Sequence, residues 1–400
     1  MTALTSRFPA SLDELQHLSF IRWSEADPRL LPRYQDLRVL EGNDHVFTSA
    51  PNYLNHPAPY YLLMGLVDRA LGGSVLGLRL VNLGLSLSAL ALLLVVGFRL
   101  LQGWRERAVF AFALVLFPKL GVVGGLINND NGALLAVAVG CLGLVAWQRR
   151  PTFGAALLLA IGLALCGWTK FTVLLMIVSA AAVAEVLRYW KSRERPEFGA
   201  ILVLGAGLLI AAIPSVANLA TYGRVLHHTA AFYVNPIDRA PLGFGGYAQA
   251  FFLAMAQKWA ALEPSNAAQV LGLCVVIGLA GAAVMTGVRQ IGGPGGNAPS
   301  SNPAWRVAIG LILATAPVLA MHLYFGWRTF VEDGFIEMAQ VRYYYGVWPG
   351  FALGLALLWR SQEDTRLRLW VTTITAVLLA TASISFAVLM LAVRGRGLTG

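Results

Sequence analysis

The sequence predicts an all-α fold, a polytopic bundle of about ten transmembrane helices with interfacial helices and loops on the extracytoplasmic side. Of its 400 residues, 57% are hydrophobic and only 12% are charged, whereas soluble domains carry about 25% charged residues. The mean hydropathy is +0.65. Apolar runs recur along the chain, and each is long enough to cross a hydrocarbon core about 30 Å thick.

Residues 1–75 are predicted to form an extracytoplasmic segment with interfacial helices. The segment is polar and mixed in charge, and its prolines prevent any long helix before residue 59. It contains no apolar core of signal-peptide length. Because nothing apolar precedes this tail, we expect either N-out insertion driven by the first span or an upstream transmembrane helix, and we favour the second.

Residues 76–400 are predicted to form the transmembrane bundle. The apolar runs place its spans, with ends uncertain by several residues, at 76–101, 108–127, 130–148, 153–168, 171–189, 198–220, 266–288, 306–326, 344–359 and 369–392. A long outer loop at 221–265 and a cytoplasmic Gly/Pro/Ser-rich linker at 290–304 interrupt the series.

The basic residues predict the orientation of the bundle. If the spans alternate strictly, every short basic loop falls on one side, which the positive-inside rule makes cytoplasmic. Those basic residues are Arg99, Arg105, Arg107, Arg149, Arg150, Arg188, Lys191, Arg193, Arg195, Arg289, Arg306, Arg360, Arg366 and Arg368. The net charge of +10 is therefore largely a topology signal, and we expect no nucleic-acid partner. The odd polar clusters all fall on the opposite, extracytoplasmic face.

The first such cluster is the stretch that carries Asp13, Glu14 and His17. It reads as a helix start, in which Ser11 caps the helix and Glu14 is its capping-box partner. On that helix Asp13 and His17 share a face, and Asp13 is the freer carboxylate. A solvated helix start is the simple interpretation; the functional one is a general base for an acceptor hydroxyl, with Glu14 tuning it.

Two further clusters come next. His56 precedes Pro57 and is followed by Tyr60 and Tyr61, which are either headgroup-level anchors or, with His56, the lining of a pocket where a lipid head meets water. Asp130 lies in an Asn-rich junction between two spans. It is either a helix cap or a functional acid, since ionisable groups at membrane depth are costly.

Two cations complete the candidates. Lys170, at the tip of an apolar hairpin, either snorkels to the interface or binds a phosphate. Arg342 lies beside Tyr343 at the outer mouth of a span, where an arginine opposes the charge bias of the loops and favours anion binding. The three cysteines fall inside apolar runs and read as packing residues. The sequence shows no Walker loop, dinucleotide fingerprint or zinc-protease motif, which argues against an ATP-driven pump or a redox enzyme.

The order of these motifs resembles the C-type glycosyltransferase superfamily, which includes protein O-mannosyltransferases and lipid A aminoarabinose transferases. It is similar above all to a related group of uncharacterised bacterial members. The matching features are an Asp-Glu pair before a long span, a His-Pro-x-Pro-Tyr-Tyr run, an outer Asn-Asp, an outer Lys and a Gln-x-Arg-Tyr before a late span. Ala58 replaces the second proline of the family's His-Pro-Pro run, and the helix that normally precedes the Asp-Glu pair is missing.

The resemblance implies an integral protein of the bacterial inner membrane with its active site on the extracytoplasmic face. The implied donor is a polyprenyl-phosphate-linked sugar, and the acceptor a glycan, lipid or protein hydroxyl. Carried over, Asp13 matches the base with Glu14 beside it, and Asp130 matches a second acid of an outer loop. Lys170 and Arg342 match basic residues near the donor phosphate. His56 matches the motif histidine.

No cofactor is required by the sequence, although a few members of the superfamily use a divalent cation. Two alternatives stay open at this point. A transporter or flippase for lipid-linked sugars would need mid-membrane charges and inverted repeats. A non-catalytic envelope-assembly protein would tolerate replacement of the acids and the arginine.

Overall fold

The structure is a computed structural model that describes residues 7–10, 13–42, 45–115, 120–192, 196–225, 243–259, 266–292, 303–334, 336 and 338–361. Ser11 as a helix cap, the predicted span 369–392 and much of the predicted loop 221–265 and linker 290–304 lie outside these residues.

The described chain is built almost entirely from helices, as the sequence predicts. The helices are α1 (Glu14–Ala26), α2 (Pro59–Ala70), α3 (Val75–Leu100), α4 (Trp104–Val115), α5 (Leu120–Val123), α6 (Asp130–Arg149), α7 (Phe153–Gly167), α8 (Phe171–Ser192), α9 (Phe198–Tyr222), α10 (Phe244–Trp259), α11 (Asn266–Gly292), α12 (Pro303–Leu313), α13 (Thr315–Asp333) and α14 (Trp348–Ser361). Short 3₁₀ turns occupy Tyr34–Asp36 and Val341–Tyr344. One antiparallel ribbon pairs β1 (Arg38–Leu40) with β2 (Phe47–Pro51).

Six helical segments of the described chain are long and apolar enough to cross a membrane, which confirms the polytopic helical fold. They are Val75–Leu100, Asp130–Arg149, Phe171–Trp190, Phe198–Tyr222, Leu273–Gly292 and Pro303–Glu332. The apolar helices Phe153–Gly167 and Phe244–Ala256 are shorter. Within the predicted span 108–127 the structure describes α4 up to Val115 and α5 from Leu120, and residues 116–119 lie outside the described residues. The predicted span 344–359 is α14, preceded by a 3₁₀ turn.

Small residues allow the helices at the centre of the bundle to pack backbone against backbone. A Cβ on Gly162 of α7 would overlap the backbone of Gly140 in α6, and one on Gly167 would overlap the carbonyl of Ala211 in α9. Such close approaches are how membrane helices gain packing contacts when lipid competes with every apolar side chain. They hold α7 close against both α6 and α9.

The N-terminal segment has its own hydrophobic cluster, which rests on the bundle. Leu18, Phe20 and Ile21 of α1 pack with Tyr61 of α2, and the cluster continues to Leu78 of α3. The ribbon β1–β2 joins this layer because the Leu40 amide donates to the Ser19 hydroxyl at 2.9 Å. This layer fixes the chain on either side of α1.

Glu14 is the strongest polar link between this layer and the bundle. Its carboxylate is fully buried and receives two hydrogen bonds from Arg79, Nε to Oε1 at 2.8 Å and Nη2 to Oε2 at 2.7 Å. The amides of Ala10 and Ile127 also donate to it, at 2.8 and 3.2 Å. The capping-box interpretation of Glu14 is wrong, since α1 begins at Glu14 itself. These contacts favour a structural role for this acid over the predicted catalytic one.

Removing the partner of Glu14 should be costly. We expect Arg79→Ala to lower the free energy of unfolding by about 3–5 kcal/mol, because it leaves a buried carboxylate without its cation. Denaturant titration of the purified protein in detergent measures this.

The matched control is Arg29→Ala. Arg29 pairs with Asp27 at 2.7 Å, but its side chain is 51% exposed, and exposed pairs contribute about 0–1 kcal/mol. Equal effects of the two substitutions would contradict the assignment of Glu14 and Arg79 as the main tether.

Candidate functional site

Four predicted site residues form one chain of alternating charge at one end of the bundle. Arg342 Nη2 lies 2.6 Å from Asp13 Oδ2, and Arg342 Nη1 lies 3.8 Å from Asp130 Oδ2. Lys170 Nζ lies 2.5 Å from Asp130 Oδ1. The formal charges of the four groups cancel, which offsets much of the cost of removing them from water. We refer to these four residues as the charge tetrad.

Asp13 is held at the entrance to α1 in an unusual backbone conformation. Its φ is 66°, in the left-handed region, which costs free energy for a residue other than glycine and is least unfavourable for Asp and Asn. Its side chain is 30% exposed, the most open of the tetrad. Oδ1 accepts a hydrogen bond of 2.5 Å from the Tyr53 hydroxyl while Oδ2 faces Arg342. Strain of this kind is found at functional sites when the surroundings enforce it.

Asp130 is the first residue of α6, and the neighbouring asparagines explain its position. Its amide donates to the side chain of Asn128 at 2.9 Å. The Asn131 side chain donates to the carbonyls of Val123 and Leu126, which closes the turn before α6. The side chains of Asn128 and Asn131 therefore shape the turn before α6, and the side chain of Asp130, which is 5% exposed, faces Lys170.

The two cations share an aromatic neighbour. Lys170 occupies the short connection between α7 and α8, and its Nζ lies 4.6 Å from the ring centroid of Tyr343. Arg342 lies in the 3₁₀ turn before α14, with its guanidinium 5.3 Å from the same ring. Cation–π contacts of this kind stabilise a charge that is partly desolvated.

The predicted histidines and tyrosines form the layer behind the tetrad. The rings of His17 and His56 stack at 6.2 Å, and His17 Nδ1 lies 3.0 Å from the Tyr61 hydroxyl. Tyr60 donates to Asn82 Oδ1 at 2.7 Å. Both tyrosines are buried, so their interpretation as headgroup-level anchors is wrong. His56 reaches the cavity described below; neither tyrosine lines it.

Burial and neighbouring charges set the protonation states of the groups outside the spans. Partial burial would raise the pKa of Asp13, but the charge of Arg342 and the hydrogen bonds from Tyr53 and Arg342 outweigh it and hold that pKa below its ordinary value. Burial lowers the pKa of His17 to about 3 against the opposing charge of Asp13. Desolvation and Lys170 lower the pKa of His56 well below its ordinary value. At neutral pH Asp13 is therefore a carboxylate and both imidazoles are neutral.

A cavity of about 430 Å³ opens next to the tetrad. Lys170, His56 and Tyr343 form one corner, and α9 and α13 form the walls. Further polar lining comes from Asn55, Asn218, Arg224, His322 and Arg328, and apolar lining from Pro214, Leu219, Met321 and Phe325. A smaller void of about 10 Å³, lined in part by Asp130, Arg342 and Tyr343, lies behind it. Asp13 does not line the cavity; it is reached from its exposed side.

Several residues of this site were not among those predicted from the sequence. Tyr53 lies three positions before His56, but a lone tyrosine near an interface has no distinguishing signal. Arg79 could not be linked to Glu14 across 65 positions. Arg328 follows the predicted span 306–326, and the charge-bias argument that selected Arg342 could have selected it too.

The opposite end of the bundle carries a separate polar network. Glu185 accepts from Arg188 at 2.5 Å and from the Trp147 indole at 3.0 Å, and Arg306 donates to the carbonyl of Gln148 at 2.6 Å. The residues predicted to be extracytoplasmic and those predicted to be cytoplasmic thus lie at opposite ends. In the part of the chain that the structure covers, no group of three or more His, Cys, Asp or Glu is arranged to hold a metal ion.

Comparison with known proteins gives one match among solved structures and none elsewhere. No family model and no curated protein matches the chain. The match is to ArnT from Cupriavidus metallidurans bound to undecaprenyl phosphate. It covers 89% of this chain and 74% of that one, with 14% identity and a TM-score of 0.40. A likeness of this degree carries no conclusion about the family or the chemistry of this chain.

The low pKa of His17 predicts a pH dependence of stability. The unfolded chain binds a proton on this residue near pH 6.5, and the folded chain only near 3. Between these values the unfolded state binds more protons, so the free energy of unfolding falls as the pH falls, by up to about 1.4 kcal/mol per pH unit.

Replacing His17 should therefore flatten this dependence. We expect His17→Gln to reduce the loss of stability between pH 6.5 and 3, as measured by denaturant titration at several pH values. An unchanged slope would show that His17 is already protonated in the folded protein.

Proposed function

We propose that this chain is a membrane glycosyltransferase that moves a sugar from a polyprenyl-phosphate donor to an acceptor hydroxyl on the extracytoplasmic face. The observation that carries the proposal is the Asp13–Arg342 contact of 2.6 Å, because it puts a partly exposed carboxylate and a buried guanidinium side by side. An ionised acid and a cation in contact supply the two charges that this transfer needs.

The chemistry requires little from the protein beyond positioning. A glycosyl phosphate carries its own leaving group, so no protein nucleophile is needed. The protein must accept the proton of the acceptor hydroxyl and neutralise the departing phosphate. One carboxylate and two cations at fixed positions do this by orientation and electrostatic stabilisation.

The proposed reaction is a single displacement with inversion at the anomeric carbon. Asp13 takes the proton of the acceptor hydroxyl as the oxygen of that hydroxyl attacks the anomeric carbon. The bond between this carbon and the phosphate oxygen breaks, and its electron pair stays on the phosphate. Lys170 and Arg342 balance the charge that develops there. Asp130 holds Lys170 and orients it.

The cavity supports a donor that is polar at one end and apolar at the other. The cation Lys170 and the neutral His56 suit a phosphate and a sugar, and the walls of the cavity include Pro214, Leu219 and Phe325, which suit an isoprenoid chain. The acceptor would approach Asp13 from its exposed side, so that donor and acceptor meet on either side of Arg342.

The basic residues support the proposed extracytoplasmic location of the site. The tetrad lies at the end of the bundle opposite the Glu185–Arg188 network, and Arg149 and Arg306 lie at that far end, where they donate to the carbonyls of Arg99 and Gln148. The positive-inside rule assigns such an end to the cytoplasm. The acceptor would then be a glycan, lipid or protein outside the cytoplasm.

Loss of the base should abolish transfer. We expect Asp13→Asn to lower the transfer rate by about 10²–10⁴-fold, the usual contribution of a general base, with no loss of expression. The assay incubates purified protein with radiolabelled polyprenyl-phosphate sugars and a membrane extract and counts the transferred label.

Asp27→Asn, another acid of the N-terminal segment, is the matched control and should keep full activity. Full activity of Asp13→Asn would remove Asp13 from the role. Full activity after combined replacement of Asp13, Asp130 and Arg342 would favour a non-catalytic protein instead.

Loss of the Lys170 charge should weaken donor binding. We expect Lys170→Met to raise the KM for the donor about tenfold or more, because the phosphate loses a point charge in a partly desolvated site. Steady-state kinetics with varied donor concentration measure this, and Lys170→Arg should restore part of the affinity. A donor KM unchanged by Lys170→Met would place the phosphate elsewhere.

A further inference from the structure

Tyr53 makes a contact with the site that the proposed reaction does not use. Its hydroxyl donates to Oδ1 of Asp13 at 2.5 Å, while Arg342 donates to Oδ2 at 2.6 Å. The two oxygens of one carboxylate are therefore held by two different donors. One donor is neutral and the other is charged.

The position of Tyr53 is fixed by its neighbour in the chain. Asn52 is fully buried, and its side-chain amide donates to the carbonyl of Gln16 in α1 at 2.8 Å. The side-chain oxygen of Asn52 accepts from the backbone amide of Leu54 at 3.1 Å, and the backbone amide of Asn52 donates to the carbonyl of Leu37 at 3.0 Å. These bonds tie residues 52–54 to the helix that Asp13 precedes, so Tyr53 and Asp13 are positioned by one rigid unit.

We propose that Tyr53 is a positioning residue that keeps Asp13 aligned for proton transfer while Arg342 turns to the donor phosphate. The proposal rests on the proposed function, and deepens it by assigning separate tasks to the two donors of Asp13. Tyr53 keeps Oδ1 occupied throughout. Oδ2 is the atom that takes the proton of the acceptor hydroxyl.

The difference between the two donors supports this division. A phosphate competes with a carboxylate for a guanidinium, because Arg binds both in the same forked geometry. A neutral phenol has little attraction for an anionic phosphate that is already held by two cations. When Arg342 is drawn toward a phosphate, the contact from Tyr53 is therefore the one that stays with Asp13.

A second tether is needed because of the backbone of Asp13. Asp13 lies in the left-handed region at the start of α1. Its backbone can relax when its side-chain contacts are lost, because only the surroundings maintain this strained conformation. With Arg342 engaged elsewhere, Tyr53 is the described contact that still holds the carboxylate. The proton then goes to Oδ2, and the phenol stays protonated.

The test substitutes Tyr53 by Phe and compares kinetics and titration with the unmodified protein. We expect kcat to fall about tenfold with the donor KM unchanged, because Lys170 and Arg342 are untouched. We also expect the acidic limb of the pH dependence of kcat to move to higher pH. The lost hydrogen bond favours the carboxylate form of Asp13, so its loss raises the pKa of Asp13. A residue of merely structural importance would lower the folded yield without moving this limb.

The matched control is Tyr222→Phe. Tyr222 also links the N-terminal segment to the bundle through a hydroxyl, which accepts from the amide of Tyr34 at 3.2 Å, and no contact between it and Asp13 is described. It should leave the acidic limb in place. A limb that moves in both variants, or in neither, would overturn the proposal, as would a rise in donor KM for Tyr53→Phe alone.

A second readout separates this inference from the proposed function. Infrared difference spectra resolve the protonated carboxyl band that Asp13→Asn removes, and this band should titrate at higher pH in Tyr53→Phe than in the unmodified protein. This measurement needs no turnover. If the protein proves inactive with every donor, the proposed transferase function is refuted, but the infrared titration still tests the contact between Tyr53 and Asp13. If Tyr53→Phe does not fold, 3,5-difluorotyrosine can be placed at position 53. It is a stronger hydrogen-bond donor, so the carboxyl band should then titrate at lower pH. No movement would overturn the proposal.

Discussion

The ion pair between Asp13 and Arg342 is the contact on which the rest of the site depends. It joins residues 329 positions apart, one before the first described helix and one before the last. Arg342 is nearly buried and could not be tolerated there without carboxylates beside it, because an isolated charge loses its hydration on burial. Asp13 supplies one such carboxylate and Asp130 the other. Two parts of the fold position these carboxylates. The close backbone packing of the central helices sets the position of Asp130, and the N-terminal layer sets that of Asp13.

Two adjacent acids, Asp13 and Glu14, have different uses because their surroundings differ. Glu14 points into the protein, where Arg79 and two backbone amides satisfy it completely enough to make it a structural anchor. Asp13 points toward the open side and keeps part of its surface in water, with a tyrosine and an arginine as its described hydrogen-bond donors. Environment, not residue type, separates the two acids, as it does in enzymes with paired carboxylates. The contacts of Glu14 also fix the start of the helix that Asp13 precedes, and with it the position of Asp13.

Much of this site could be predicted from sequence because the bilayer restricts where charge can lie. Asp130, Lys170 and Arg342 are conspicuous in apolar surroundings, and alternation of the spans places all of them at one end. The errors came from local patterns that long-range contacts override. Glu14 fits a capping box, but no local rule reveals an arginine in another helix. Tyr61 fits an aromatic belt, yet it is covered by the N-terminal layer, whose docking leaves no periodic signal in the sequence.

The measurement that tests the account most directly is a cryo-EM map of the protein with a polyprenyl phosphate bound. The account predicts phosphate density in the cavity, in contact with Lys170. It also predicts that Arg342 turns toward this phosphate, while Asp13 keeps its hydrogen bond from the Tyr53 hydroxyl. A phosphate bound at the opposite end of the bundle, or Asp13 and Arg342 separated by packed helices with no shared cleft, would contradict it.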